Sequence, residues 1–294
     1  MIIAWRFIDS GPCDAAYNMA LDEAISIAVR NGWSQPALRF YGWEGLAVSI
    51  GSFQKIPDIN LQYCSANNVP VVRRPTGGRG ILHNEELTYS FSSRNEGPFS
   101  HGLLDTYRKI SAALQAGLEM IGVQAVIKME REPGRNLTRS PLCFKSTSYG
   151  EISFNRRKLI GSAQKRWNDG FLQQGSIPYA IDYEKLDKVF KISKLPSHPF
   201  TKGGQGGITD SSLPLDMVGL NELIPDFDPE EFKRCIKLSF ERIFDITLAD
   251  SLPSPQEAEL ARSLLSEKYR NPRWTEGESG HSRFYNNNEK SKKA

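Results

Sequence analysis

Arg73, Arg74, Arg79 and His83 crowd around a glycine pair, Gly77 and Gly78, in a stretch whose two ends are apolar: Val71 to Phe91, VVRRPTGGRGILHNEELTYSF. Glycines let backbone lie against a bound group where a Cβ would collide, and they tolerate positive φ. The stretch reads as strand, tight loop, strand, and the alternative is a plain hairpin turn. A structural turn has no need of so much positive charge. A second group follows downstream: Cys143, then Lys158, then Gly161, Ser162 and Ala163 as a small-residue turn that again admits a close neighbour. A cysteine thiolate attacks activated carbonyls, and a cation beside it lowers the thiol pKa, for which Lys158 is the candidate. Backbone N–H groups around Gly161 to Ala163 would serve the oxyanion of the tetrahedral intermediate, each such donor being worth about 3 kcal/mol. Every one of these residues also has an inert reading: Cys143 as a packed thiol, Lys158 as the end of a solvated basic turn after Arg156 and Arg157, His83 as a hydrogen-bonded hairpin residue instead of a general base. Arg73 and Arg74 are expected to divide, one inward and one on the surface.

These groups need a sheet and helices to hold them. Ile2 to Ile8 reads as a strand, followed by a helix over Asp14 to Val29 with Asp14 as N-cap. Met19, Leu21, Ala24, Ile25 and Ala28 form its apolar stripe, which packs on a sheet, while Asn18, Asp22 and Glu23 are expected to be exposed or locally hydrogen-bonded. Ala37 to Tyr41 and Leu46 to Ile50 are short strands, and Ile59 to Asn67 is a short helix with Cys64 as core filling. His101 to Gly122 is a long scaffold helix with Gly122 at C′. Val123 to Ile127 starts a strand, and a polar loop, Arg131 to Pro141, leads to Cys143. Strands are expected at Tyr149 to Phe154, Lys158 to Ile160 and Phe171 to Ile177. Gly203 to Gly207 reads as a connector. Helices follow at Met217 to Leu223, Pro229 to Phe244 (with Cys235 as a structural neighbour of its stripe) and Pro255 to Tyr269, and the chain beyond about Thr275 has the composition of a disordered tail. The expected organisation is 1–209 as the catalytic unit, 210–275 as a helical extension and 276–294 as the tail.

The 294 residues are 39% hydrophobic and 24% charged with a net charge of +3, the profile of a globular chain. That charge, partly concentrated at the C-terminus, argues against nucleic acid as the main partner. No apolar run is long enough for a membrane span or signal peptide, so a cytoplasmic location is expected. The four cysteines, Cys13, Cys64, Cys143 and Cys235, lie far apart with no metal-ligand spacing and are expected to be free thiols.

RRPTGGRGILHNEELTYSF, RKLIGSAQKR, FLQQGSI and, at Asn18 to Ala24, NMALDEA occur in an order that resembles the lipoate-attachment branch of the biotin and lipoate protein ligase superfamily. The resemblance spans Trp5 to Ile181. It implies an α+β fold of mixed β-sheet packed with helices, a tunnel for an octanoyl or lipoyl chain, and an acceptor lysine on a small lipoyl domain such as glycine cleavage H protein. Two chemistries occur in that branch: ATP-dependent ligases work through an acyl-adenylate, and octanoyltransferases draw on the thioester of acyl carrier protein. Arg79 stands where the ligases carry a third glycine, and Cys143 falls where the cysteine-dependent octanoyltransferases of the LipM type carry their nucleophile. Gly80 in place of alanine and Asn84 in place of aspartate are departures outside the chemistry. The resemblance therefore implies octanoyl transfer with Cys143 and Lys158 as catalytic residues. Arg73, Gly77, Gly78, Arg79, His83, Gly161, Ser162 and Ala163 would bind substrate, with no metal and no cofactor, and a monomer is expected. ATP and Mg²⁺ belong only to the ligase alternative. A third reading is a catalytically silent binder of lipoyl domains or acyl groups.

Overall fold

The computed structural model describes residues 3–128, 150–190 and 217–277. Cys143, the polar loop at 131–141, the glycine cluster at 203–207 and the chain from 278 onward lie outside the described residues. Eleven strands are found among those described: β1 Ile3–Cys13, β2 Ala37–Trp43, β3 Ala47–Ile50, β4 Val71–Arg73, β5 Ile81–His83, β6 Glu86–Arg94, β7 Val126–Ile127, β8 Ile152–Phe154, β9 Arg157–Arg166, β10 Gly170–Pro178 and β11 Ile246–Asp250. The helices are α1 Ala15–Arg30, α2 Leu61–Ala66, α3 Leu103–Met120, α4 Tyr183–Val189, α5 Pro229–Phe244, α6 Pro255–Leu264 and α7 Pro272–Glu276. None of the described helices is long and apolar enough to cross a membrane.

Eight strands form the main sheet in the order β11-β1-β2-β6-β10-β9-β8-β7. β1 runs parallel to both β11 and β2, and the remaining pairs are antiparallel. Strand alternation divides the residues between two layers. Leu38 and Phe40 of β2 and Leu87, Tyr89 and Phe91 of β6 face a core shared with α3 and α5, where Phe99, Phe171, Phe232 and Phe240 also pack. Tyr41 and Trp43 face the other layer, against α1. A smaller sheet, β4-β3-β5, packs its Val48, Ile50 and Ile81 with Cys64 of α2 and Leu186, Val189 and Phe190 of and beside α4.

The α+β class, α1 with its Asp14 N-cap, α3 with Gly122 at C′ and α5 agree with the sequence reading. Several details differ. The glycine-rich loop is not a hairpin turn, because β3 lies between β4 and β5, parallel to the first and antiparallel to the second. The expected single return strand is two: β5 belongs to the small sheet and β6 to the large one, and the chain crosses over at Asn84 and Glu85. Gly161 to Ala163 is no turn, since β9 runs through it in register with Ser176, Gly175 and Gln174 of β10. Its small side chains make room across the strand pair, where the Tyr89 ring sits against Gly175 so closely that a Cβ there would overlap it. Residues Leu220–Glu222 form a short 3₁₀ turn, and α6 runs on into a π-helical turn, Leu265–Tyr269. β11, unannounced by local pattern, adds the C-terminal segment to the edge of the main sheet.

Candidate functional site

Where the small sheet meets the α1 face of the large one, a cleft of about 340 Å³, part of it open to solvent, is lined by residues of both. From the small sheet come Ser49, Ile81, His83 and, just past β4, Arg74; from the large one come Tyr41, Trp43, Thr88, Gly161 to Ala163 and Gln174 to Ser176. The two stretches singled out in the sequence therefore do face each other.

Arg74 shapes the glycine loop. Its Nε and Nη2 donate to the Gly77 carbonyl at 3.1 and 2.8 Å, Nη2 also to the Arg79 carbonyl at 2.7 Å, and Nη1 to Ser49 Oγ at 3.1 Å. The loop bends around the guanidinium with Gly78 at φ +88, and a Cβ on Gly78 would come within 2.8 Å of Arg74 Nη2. That backbone region and that space both require glycine. Arg73 points elsewhere: its guanidinium donates to the carbonyls of Gly51, Gln54, Trp274 and Thr275 at 2.7 to 3.1 Å. Both arginines are buried, so the expected division between interior and surface does not occur. Charged guanidinium groups are tolerated here because carbonyl oxygens satisfy them. Arg79 is half-buried, and the ring of Phe190 occupies the space that a Cβ on Gly80 would need.

His83 sits where the chain crosses between the sheets, which brings it against Glu86. Its Nδ1 lies 2.8 Å from Glu86 Oε1 and its Nε2 2.7 Å from Ser49 Oγ, and the ring stacks on Trp43 at 3.8 Å between centroids. Glu86 also accepts from Trp43 Nε1 at 3.2 Å, from Ser176 Oγ at 2.8 Å and from Thr88 Oγ1. Burial pushes the Glu86 carboxyl up, but His83 and the hydrogen bonds it receives outweigh burial and hold it below the usual carboxylate range.

The polar residues of α1 are the largest correction to the sequence reading. Asn18, Asp22 and Glu23 are all buried, because the helix is enclosed: Asn18 and Asp22 meet Arg39 of the sheet, and Glu23 meets the π turn that follows α6. Asp22 accepts from Arg39 Nη1 at 2.7 Å, Tyr41 Oη at 2.8 Å, Ser90 Oγ at 2.6 Å and Gln174 Nε2 at 2.7 Å. Asn18 Oδ1 accepts from Arg39 Nη2 at 2.7 Å. Gln174 then reaches the glycine loop, accepting from Thr76 Oγ1 at 2.8 Å. The first helix thus carries one wall of the cleft and, through Gln174, steadies the other. Burial and Asp22 push the Tyr41 phenol well above its ordinary pKa, so it remains a donor.

Ser162 Oγ is 2.7 Å from Tyr89 Oη, and the Ser162 carbonyl accepts from Tyr107 Oη at 2.6 Å. Lys158 is buried on β9 and ion-paired to Glu151; the cleft lining does not include it. Cys143 lies outside the described residues. The other three cysteines are free, line no part of this cleft, and burial pushes their thiols up.

Residues 14–241 match the family model of the lipoyl protein ligase A/B catalytic domain. The chain belongs to this family. The lipoyl protein ligase A/B match takes in both walls of the cleft and nearly everything from α1 to α5. Several relatives are named octanoyltransferase LipM. The protein of Halalkalibacterium halodurans is 37% identical over 92% of this chain and 98% of its own length, and that of Bacillus subtilis 36% identical over 92% and 97%. Among solved structures, lipoate-protein ligase A bound with ATP superposes with a TM-score of 0.75 at 21% identity, covering 94% of this chain and 99% of that one. A bi-partite lipoate protein ligase from Thermoplasma acidophilum gives 0.72 at 20% identity, covering 95% and 98%. At those identities the superpositions establish the fold, which is that of the lipoyl protein ligases. The site residues that the sequence reading passed over, Ser49, Glu86, Gln174, Tyr89 and Asp22, come from strands and a helix that meet only in the folded chain.

Proposed function

We propose that this protein is an octanoyltransferase of protein lipoylation. It takes an octanoyl group from the thioester of acyl carrier protein onto Cys143 and passes it to the lysine of a lipoyl domain such as glycine cleavage H protein. The observation that carries this reading is the likeness to octanoyltransferases at 36–37% identity over 92% of the chain. The superposition on an ATP-bound ligase, at 21% identity, speaks to fold and not to reaction. Arg79 in place of a third loop glycine favours the same choice.

A thioester is already activated, so exchange onto a cysteine needs no ATP, and aminolysis of the acyl-cysteine to an amide runs downhill. Cys143 is the nucleophile, and Lys158 is the cation that lowers its pKa. Lys158 is ion-paired to Glu151, the residue before β8. Apolar lining of the cleft by Ile81, Met19 and the ring of Tyr41 suits an acyl chain, at about 0.8 kcal/mol per buried methylene. The reaction belongs to the cytoplasm, where carrier and acceptor meet.

The test is transfer to an apo lipoyl domain from octanoyl acyl carrier protein without nucleotide, beside lipoate with ATP and Mg²⁺. Product in the first mixture alone supports the transferase. Product only in the second makes the protein a ligase, and product in neither makes it a binder.

A further inference from the structure

Ser49, His83 and Glu86 form a hydrogen-bonded chain that ends in the cleft. Its polarity follows from its partners. Glu86 receives hydrogen bonds from Trp43, Thr88 and Ser176, all of them donors toward it, so it is an acceptor and His83 Nδ1 carries the proton between them. In the neutral ring Nε2 is then bare. A bare Nε2 can only accept, so across 2.7 Å the Ser49 hydroxyl donates to it, while Ser49 Oγ accepts from Arg74 Nη1 at 3.1 Å. Ring orientation is fixed by the stack on Trp43 at 3.8 Å. Ser49 and His83 are 1% and 2% exposed, and both line the cleft. A serine hydroxyl, an imidazole and a carboxylate in this order and with these lengths make a path for one proton. A purely structural histidine in a sheet crossing has no need of a serine that opens into a cleft.

We propose that Ser49, His83 and Glu86 are the proton relay that deprotonates the acceptor amine during amide formation. This rests on the acyl-transfer reading above, but the relay is needed whether the acyl group attacked is a thioester or an adenylate. In the thioester case the amine nitrogen forms a bond to the acyl carbon, the C–S bond breaks, and the sulfur leaves as thiolate with the electron pair. The lysine arrives as an ammonium, so two protons must leave nitrogen. The first leaves before attack: it passes to Ser49 Oγ while the proton of Ser49 passes to His83 Nε2, and the resulting imidazolium is held by the Glu86 carboxylate until solvent takes the proton and resets the chain. The second leaves nitrogen in the tetrahedral intermediate and is taken up by the departing thiolate. Ser49 is the catalytic residue in contact with the amine, and His83 and Glu86 act through it.

Single-turnover transfer from acyl-loaded full-length enzyme distinguishes this role from mere support. The variants are Ser49→Ala, His83→Gln and Glu86→Gln, and the two acceptors are an apo lipoyl domain and hydroxylamine, a weakly basic amine that is unprotonated at neutral pH. Loss of a general base slows transfer to the lipoyl lysine on the order of a hundredfold, and the deficit with hydroxylamine is expected to shrink to less than about a tenth of that. Ser49→Ala removes a single oxygen and decides the matter if the two larger changes unfold the protein. Equal deficits with both amines, or no deficit with either, overturn the relay. Failure of the parent enzyme to load octanoyl while it transfers lipoate with ATP would instead overturn the thioester reading, and the same comparison is then run on the adenylate.

Discussion

Asp22 is the point on which the buried polar contacts behind the cleft converge. It answers the charge of Arg39, which is fully buried on β2, and it orients Tyr41, Ser90 and Gln174 at once. Removing one partner of such a pair leaves a charge in a medium that cannot solvate it. Asp22→Ala is therefore expected to cost about 3–5 kcal/mol of stability, read as a lowered urea midpoint, and Asp22→Asn less because the shape survives. A destabilisation below about 1 kcal/mol for Asp22→Ala would show that Arg39 finds other partners. Glu86 adds a pH dependence. Its carboxyl is held below its ordinary value in the folded chain, so its contribution is present above the unfolded pKa and drains away as pH falls through the folded one. Urea titrations across the acid range should give a shallower decline for Glu86→Gln than for the parent. These two residues show how far the sequence can be read. Ala15 to Val29 contains acidic and amide side chains but no lysine or arginine to make a solvated face, and that absence was a signal that the helix is enclosed. Nothing local, however, names Arg39 as the partner of Asp22, because the pair is made by two elements folding together.

At the scale of elements, the glycine loop owes its shape to a strand that is remote in sequence. β3 holds β4 and β5 apart, and Ser52 N donates to the Thr76 carbonyl at 2.9 Å just where Gly51 passes Gly78. A Cβ on Gly51 would overlap the backbone carbonyl of Gly78, which has no side-chain freedom with which to yield. Gly51→Ala should displace the loop, cut transfer more than about tenfold and cost about 1–3 kcal/mol, measured by initial rates and thermal melting. Parent-like kinetics would mean that the loop position is irrelevant to the reaction. The basic cluster, the glycine pair and the small residues Gly161 to Ala163 were legible in the sequence, and it was the resemblance to the lipoate-attachment branch that assigned them to one substrate site. The intervening strand was not, because non-local pairing leaves no trace in the short periodicities that mark a strand.

The whole molecule is closed by its C-terminal segment. β11 extends the main sheet, Glu257 accepts from Arg6 at 2.6 and 2.9 Å, and Glu23 of α1 receives Lys268 Nζ at 2.7 Å and Tyr269 Oη at 2.6 Å. α7 then reaches Arg73, whose carbonyl accepts from Trp274 Nε1 at 2.8 Å. The helices of this part were readable from their amphipathic spacing and their proline starts; their anchorage on α1 was not, since it depends on single polar residues far apart in the chain. In the proposed reaction the cleft of this body holds an octanoyl chain until a lysine takes it, and Cys143 carries that chain as a thioester. Intact-protein mass spectrometry of the enzyme mixed with octanoyl acyl carrier protein, without ATP, tests this most directly. The expected result is a gain of one octanoyl group that peptide mapping assigns to Cys143 and that disappears on adding apo lipoyl domain, with neither the adduct nor transfer in Cys143→Ser. Undiminished transfer by Cys143→Ser, or an adduct on another residue, would contradict a Cys143 thioester route.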